Sequence, residues 1–455
     1  MRALEWDELV EGVLREARPS PEEVEETLGF ARWAAGEVNR VLGEAGVAAR
    51  AEVHGSVAHG TWLRGQKDVD VFIVLERGRL EEALGAVRGG LPWRFREAYA
   101  EHPYLEAEVA GFTLDLVPCY AYEGGEPRSA TDRSPLHTRW LRGRLEGLEE
   151  DVLVLKKMLR ALGIYGAEIR VGGFSGYLCE LLVVYYGGFR PLVEAASRWR
   201  RGVRLSFQGE APEFPQPLTV VDPVDPGRNV ASAVSLESFA TFVAACQSLL
   251  ENPRPVFFRE PPEEAPVEQV LALLEGRATQ VVFLAVGDEE PEVADVLWGQ
   301  LHRSRRAMER YLGGKGFHVL RSGAWSDGVG LHVLVWEAAE DRLQGARLHK
   351  GPPVYMREDS RRFLEAHGGG GAVAGPFIQG DRWCVVLRRE PLDLRGCVES
   401  ALVDGGVGVG FSKGLAERVA RDRRVLLGVE VKPLLQGGFT GFLLRWLRGR
   451  PVWLE

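Results

Sequence analysis

The chain has no uninterrupted apolar run of the length a bilayer span needs, so a transmembrane helix is excluded as its organising element. Its first residues, MRALEWDELVEGVLREARPSPEEVEE, alternate charged and apolar side chains and lack the apolar stretch of a secretory leader, so a cytoplasmic location is expected. Cysteine is scarce: Cys119, Cys179, Cys246, Cys384 and Cys397 are odd in number, far apart and contain no CxxC pair. That argues against both a disulfide framework and a zinc site and predicts buried free thiols. The histidines include no HExxH, and His54 and His59 flank a turn without supporting cysteines. A phosphate-binding P-loop is also missing, because Gly405–Gly414 carries the order Ser-Lys-Gly where Gly-Lys-Ser/Thr is required. It reads as a mobile loop leading into a helix, and Gly368–Gly371 as a flexible connection. There is no internal repeat and no long low-complexity tract.

What remains is an ordinary globular balance, 45% apolar and 27% charged over 455 residues, which predicts two to four domains with cores of their own. The net charge of −9 looks unpromising for a nucleic-acid partner, but the charges are segregated. The first thirty residues are acidic. Arginines cluster at Arg190, Arg198, Arg200, Arg201 and Arg204, and basic residues again at Arg303, Arg305, Arg306, Arg310, Lys315 and Arg321. Each cluster alone is more often a solvated face than a binding surface.

Strand-like runs AEVHGS, DVDVFIVL and FTLDLVP alternate with helical stretches and predict an α/β head over residues 1–145. From Asp151 a helical stripe of Val152, Leu155, Leu159 and Leu162, then an apolar helix capped by Ser175 and ending near Tyr186, predict a mainly helical domain over 146–265. The Pro-rich stretch 251–266 reads as a linker. Beyond it VVFLAV, a helix near 292–312, FHVLRS, LHVLVWE, a helix near 359–366 and WCVVLRR give the order βαββαβ. That predicts a ferredoxin-like (RRM-like) unit in a C-terminal α/β region over 266–455, although aromatic RNA-stacking motifs are not apparent on its strands. The chain as a whole is expected to be α+β and multidomain.

The chemistry is concentrated in His54-Gly55-Ser56 and the following Asp68-Val69-Asp70. Residues i and i+2 of a strand share a face, so Asp68 and Asp70 project side by side. Aspartate is disfavoured in strands, and two adjacent carboxylates repel unless a cation separates them. Asp115, in the middle of the apolar strand Phe112–Pro118, supplies a third. Such hard oxygen ligands suit Mg2+, and two ions can hold the attacking and leaving oxygens of an in-line displacement. The glycine of Gly55-Ser56 lets backbone approach a triphosphate, whose oxygens the N–H groups and the Ser56 hydroxyl can bond. Each part is weak alone; in this order they predict a metal-dependent nucleotidyltransferase head.

These residues resemble the DNA polymerase beta superfamily. Within it, Pro135-Leu136-His137-Thr138, Leu155-Lys156, Gly163–Leu182 and Asp222-Pro223-Val224-Asp225-Pro226-Gly227-Arg228-Asn229-Val230 resemble the archaeal, class I CCA-adding enzymes, closely from about residue 50 to 245 and more loosely afterwards. The resemblance implies a tRNA nucleotidyltransferase that adds CCA from CTP and ATP with Mg2+. It implies that Asp68, Asp70 and Asp115 hold the metals and that Asp115 helps activate the RNA 3′-hydroxyl. Gly55, Ser56, His137, Lys156 and Tyr165 would hold the triphosphate, and Arg228 would recognise the base. His59 stands where the family usually has arginine, which puts its triphosphate contact in question. Arg303, in Gln300-Leu301-His302-Arg303, would meet the tRNA acceptor stem. Read without the family, Lys156 is a solvent-facing helix residue, His137 a loop or cap, Tyr165 a packed aromatic and Arg228 a turn residue. Another RNA nucleotidyltransferase, such as a poly(A) polymerase or oligoadenylate synthetase, stays open as the rival, as does an inactive RNA-binding module. No membrane partner is expected; the oligomeric state, a homodimer included, is left open.

Overall fold

The computed structural model describes residues 5–76, 78–99, 103–121, 131–287 and 292–454. The chain divides into two compact units, Met1–Pro261 with Arg450–Glu455, and Pro262–Gly449. Among the described residues no helix is long and apolar enough to cross a membrane, and all five cysteines are free and buried.

In the first unit, α1 (Trp6–Ala17) is followed by α2 (Pro21–Glu44), which starts sharply: the Ser20 side chain accepts from Glu23 N–H, the Glu23 carboxylate accepts from Ser20 N–H, and Pro21 occupies the first turn. Then come β1 (Ala49–His54), the one-turn helix α3 (Gly55–His59), β2 (Asp68–Leu75), α4 (Leu80–Gly90), β3 (Phe95–Tyr99), β4 (Pro103–Val109) and β5 (Phe112–Tyr120). The strands form one sheet in the order β1-β2-β5-β4-β3, with β2 and β5 parallel and the other pairs antiparallel. The two-residue period divides each strand. Val69, Val71, Ile73, Leu114 and Leu116 face a core shared with α2 and α4, so Asp68, Asp70 and Asp115 face the other way.

The same unit continues with α5 (Ser134–Leu141), α6 (Glu149–Ala161), α7 (Gly176–Tyr186), α8 (Phe189–Ala196), a small sheet of β6 (Val203–Leu205), β7 (Leu218–Asp222) and β8 (Asp225–Asn229), and α9 (Leu236–Glu251). Ser175 caps α7 as expected, accepting from Leu178 N–H, and Gly187 ends it in the left-handed conformation. Residues Leu9, Val13, Leu14 and Ala17 of α1 are buried with these helices and not with the head sheet.

The second unit holds α10 (Val267–Glu275), β9 (Gln280–Gly287), α11 (Ala294–Lys315), β10 (Val319–Ser326), β11 (Leu331–Ala338), β12 (Arg342–Leu343), β13 (Ala346–Pro353), α12 (Arg357–His367), β14 (Ala372–Gln379), β15 (Arg382–Arg388), β16 (Leu392–Asp393), α13 (Leu394–Ala401), α14 (Lys413–Arg421), β17 (Arg423–Leu427) and α15 (Gly437–Arg448). Its main sheet runs β10-β11-β9-β17, the ferredoxin-like order, but two of its parts differ from the sequence reading. The helix near 359–366 and the strand at 383–389 exist as α12 and β15, yet β15 belongs to a separate three-stranded sheet, β13-β15-β14. The fourth strand is β17, five residues opening on two arginines and only partly buried, too short to show a period. Both faces of the main sheet are covered. Val282, Leu284 and Trp336 pack with α11, α13 and α14, while Val281, Phe283, Val333 and Val335 pack with α10 and α15. Among the described residues no open face of this sheet is left for bases to stack on, which accounts for strands that read as unbroken apolar runs. The Gly405–Gly414 segment leads into α14 as expected, and its first glycines are closely packed: a side chain at Gly405 would meet Ala416 O, and one at Gly406 the Phe411 ring.

Candidate active site

The register of the head sheet lines up one titratable residue from each strand: His54 opposite Asp70, Asp70 beside Asp115, Asp115 opposite Glu106, and Glu106 opposite Arg96. Laterally paired residues share a face, so three carboxylates stand in a row with a basic group at either end. Arg96 donates to Glu106 at 2.7 Å. Asp68 extends the group from the exposed end of β2. Burial, and then the charge of Asp68, pushes the Asp70 carboxyl up to about 6. Burial, followed by Asp70, Glu106 and Asp68, pushes Asp115 up to about 7. Asp115 Oδ1 is buried without a hydrogen-bond partner.

A crowded carboxylate pair with one buried oxygen unpartnered fits a divalent cation, which would offset the burial and repulsion that raise both groups. Among the described residues, no three His, Cys, Asp or Glu side chains close around one point by themselves. Hard divalent ions of phosphoryl-transfer sites take part of their ligand set from water and phosphate, so the carboxylates present still suit one.

Gly55 is where this face meets α3. Its φ is +67°, and a Cβ there would come 2.2 Å from Asp70 Oδ2, so backbone approaches the carboxylate as only glycine allows. In front lies a cavity of about 300 Å³. Gly55, Ser56, His59, Asp70, His137, Lys156 and Tyr165, seven of the residues expected from the sequence, line it. Asp68 and Asp115 lie beside Asp70 on the same sheet face, outside that lining. Arg228 is on β8 and reaches the group through Asp222. Arg303 stands in the other unit, on an exposed stripe of α11 with Arg306 and Arg310.

Lys156 is not solvent-facing: it is 1% exposed, and its Nζ donates to Thr61 O at 2.8 Å. Burial lowers its proton affinity, and the nearby Glu180 counters this. Glu180, 3% exposed on the apolar helix α7, accepts from Thr61 Oγ1 at 2.5 Å and meets His59 Nδ1 at 3.0 Å. Burial alone would raise the Glu180 carboxyl, but its His59, Lys156 and Thr61 partners hold it low and charged. The Thr138 hydroxyl lies between His59 Nε2, at 3.0 Å, and His54 Nδ1, at 2.9 Å. His59 is therefore clamped on both ring nitrogens, which places it as part of the pocket wall. On the far wall His137 stacks on Tyr177, with centroids 4.1 Å apart, and its Nε2 is 2.9 Å from Asp222 Oδ2. Arg228 Nη1 donates to the same oxygen at 2.6 Å.

Sequence reasoning missed Glu106, Thr138, Glu180 and Asp222 as parts of this site. Two carried a signal: Glu180 is the lone acid in an apolar helix, and Asp222 ends the fully buried strand LTVVD.

A mixed sheet that sets two aspartates side by side below a Gly-Ser turn, facing a pocket with a buried lysine, is the arrangement of a nucleotidyltransferase, and residues 37–137 match the model of the nucleotidyltransferase domain. Residues 150–259 match the second domain of tRNA nucleotidyltransferases, and 277–428 the C-terminal domain of CCA-adding enzymes. The CCA-adding enzyme of Pyrobaculum neutrophilum is 40% identical over 87% of this chain and 94% of its own length. That of Methanoregula boonei is 37% identical over 98% and 95%. The chain belongs to the CCA-adding enzyme family. A crystal structure of the Cid1 poly(U) polymerase aligns with 56% of this chain and 100% of its own at 16% identity and a TM-score of 0.44, a likeness too slight to bear on function.

Proposed function

We propose that this protein adds or repairs the 3′-terminal CCA of tRNA, joining CMP and AMP units from CTP and ATP to the RNA end without a nucleic-acid template. The 3′-oxygen of the RNA attacks the α-phosphorus; one P–O bond forms as the bond to pyrophosphate breaks. Asp68, Asp70 and Asp115 are the residues that would hold Mg2+, which when bound supplies positive charge against the attacking and leaving oxygens. The observation that carries this reading is the pairing of Asp70 with Asp115 across β2 and β5, with Asp115 Oδ1 buried and unpartnered.

Gly55 and Ser56 bring backbone N–H groups and a hydroxyl to the triphosphate, and Lys156 adds a charge already desolvated. His59 and Tyr165 form the wall against which it lies. Asp115 helps activate the RNA 3′-hydroxyl. His137 also holds the triphosphate, and Arg228, which donates to Asp222, recognises the base. The exposed stripe Arg303, Arg306 and Arg310 on α11 suits the phosphates of the acceptor stem, since a regular basic face positions RNA without reading its sequence.

The test is extension of a tRNA transcript ending at the discriminator base, with magnesium and with CTP and ATP supplied separately and together, followed by sequencing of the 3′ ends. Two C residues from CTP alone and CCA from both are expected. An A tail, or untemplated addition to any RNA, would instead identify another polymerase of the same superfamily.

A further inference from the structure

The pairing of β7 with β8 leaves part of β8 outside the ladder. Val221 stands opposite Asn229 and Asp222 opposite Asp225, so Pro226, Gly227 and Arg228 have no counterpart on β7 and form a bulge whose position the ladder does not fix. Side chains hold it instead. Asp222 Oδ2 accepts from Arg228 Nη1 at 2.6 Å. Asp225 Oδ1 accepts from Gly227 N at 3.1 Å inside the bulge, and its Oδ2 accepts from Arg133 Nε at 2.7 Å. Arg133 does not belong to this small sheet. It directly precedes α5, the helix that brings Ser134, His137 and Thr138 to the cavity. The residues before it are fastened to the end of β5: Asp132, 1% exposed, accepts from Tyr120 N at 2.8 Å, and Thr131 Oγ1 donates to Pro118 O at 3.2 Å. A path of bonds thus runs from the strand that carries Asp115, through Asp132, Arg133 and Asp225, to the bulge that carries Arg228. The Arg133 and Asp225 side chains are only 17% and 22% exposed, so the pair holds a fixed geometry that a solvated ion pair would not.

We propose that Asp225 and Arg133 are positioning residues that set where the Arg228 guanidinium stands relative to the catalytic sheet, and through it the choice of base. Arg228 uses one donor on Asp222 and keeps 38% of its side chain exposed, so other donors of its fork stay available. A guanidinium donates and never accepts. Cytosine offers a bare ring nitrogen where uracil carries an N–H, so a fork held in register with that edge favours CTP, and one free to swing loses the distinction. The groups proposed for the triphosphate, Gly55, Ser56, His137 and Lys156, are not on the bulge, so losing the Arg133–Asp225 crossing leaves them in place. The inference deepens the proposed function and rests on it for the contact between Arg228 and the base.

The measurement is kcat/KM for CTP and for UTP on a tRNA ending at the discriminator base, together with inhibition by pyrophosphate and urea denaturation. It is made on full-length wild type, Asp225→Asn, Arg133→Gln, their double variant, Arg228→Ala, and Arg228→Ala combined with Asp225→Asn. Asp225→Asn keeps the volume and an acceptor for Gly227 N but turns an amide toward the Arg133 donor, so the turn survives while the crossing is lost. Asp225→Asn and Arg133→Gln should each shrink the CTP over UTP ratio by about tenfold, the scale of one hydrogen bond to a charged group, with pyrophosphate inhibition unchanged. The double variant should lose no more than either single one, and Asp225→Asn should have no further effect once Arg228 is alanine. If CTP and UTP fall together in step with lost stability, the pair only holds the hairpin and the proposal is overturned. An unchanged ratio in Asp225→Asn, or a further loss on the Arg228→Ala background, overturns it as well. A ratio lowered by Arg228→Ala but not by Asp225→Asn defeats this inference alone. If Arg228→Ala keeps the wild-type ratio, or wild type extends no tRNA, the base contact or the proposed function is what fails, and this inference falls with it.

Discussion

Gly55→Ala tests whether the site depends on backbone approaching a carboxylate. Two costs can be separated at this position. A left-handed φ of +67° costs a residue with a Cβ about 1–2 kcal/mol wherever it occurs. The second cost is local: the new methyl would lie 2.2 Å from Asp70 Oδ2, where ordinary contact begins near 3.4 Å, so Asp70 must move by about 1 Å. A displacement of that size at reacting groups is worth roughly 100-fold in rate. Gly65 provides the control, because its φ is +76° but nothing lies within 4 Å of the position its Cβ would take. Gly65→Ala should carry only the conformational cost, lowering stability by about 1–2 kcal/mol and leaving activity within a few-fold of wild type. Gly55→Ala should show a similar conformational loss and in addition a fall of about 100-fold in kcat/KM for CTP incorporation. The assay pairs urea denaturation with initial rates of tRNA extension. If Gly55→Ala retains near wild-type activity, or Gly65→Ala loses as much, the close approach is not what glycine supplies here.

Asp115→Asn removes charge at nearly constant volume; turnover should fall at least about 100-fold, while the metal-free protein should become more stable because Asp70 and Glu106 lose a like-charged neighbour. Persistence of turnover would remove Asp115 from the metal set. Asp70 and Asp115 are raised to about 6 and about 7, so between roughly pH 4 and pH 7 the metal-free folded state holds protons that the unfolded state has released. Their contribution to stability therefore declines as pH rises through that window, and Mg2+ should recover more stability at pH 8 than at pH 5, as denaturation midpoints with Mg2+ and with chelator would show. In the second unit, Glu337 is almost wholly buried and accepts from Arg277 at 2.8 Å, Thr279 at 2.5 Å and Arg321 at 2.6 Å. Against the cost of burial these donors lower its carboxyl from 4.5 to about 2, which corresponds to ~3 kcal/mol. Glu337→Gln should lose about that much at pH 7, and the gap to wild type should close as pH falls from 4.5 toward 2; a gap independent of pH would mean that packing and not charge is at stake.

The head was legible because strand periodicity operates over two residues. Asp68-Val69-Asp70 puts both acids on one face whatever the strand pairs with, and Gly-Ser before it is a local turn signal. The order β10-β11-β9-β17 was only half legible. β9 and β11 are unbroken apolar runs, whereas β17 gains its place from pairing with β9, whose register Arg423–Val286 through Leu427–Val282 lies 137 to 145 residues back along the chain. The sequence around β17 contains nothing that distinguishes it from the equally apolar β15. Only the pairing partner separates them, and partner choice is a tertiary fact.

The site divides along the same line. That Asp70 faces Asp115 follows from the parallel register of β2 and β5, and that Glu106 joins them follows from β4; neither is contained in a local pattern. Glu106 and Arg96 read as the charged residues that protect any sheet margin, and the register alone turns them toward the aspartates. Lys156 is different, because its signal was present. It lies four residues beyond Val152 and three before Leu159, on the stripe that predicts the buried side of α6, while Lys157 next to it falls off that stripe. Reading Lys156 as solvent-facing overlooked an inward-pointing cation. A lysine at a stripe position cannot remain charged in a core without a partner, so its presence demands an acid nearby. In this chain the lone carboxylate of an otherwise apolar helix is Glu180, and the two readings complete each other: the unexplained cation of α6 and the unexplained anion of α7 are two sides of one pocket.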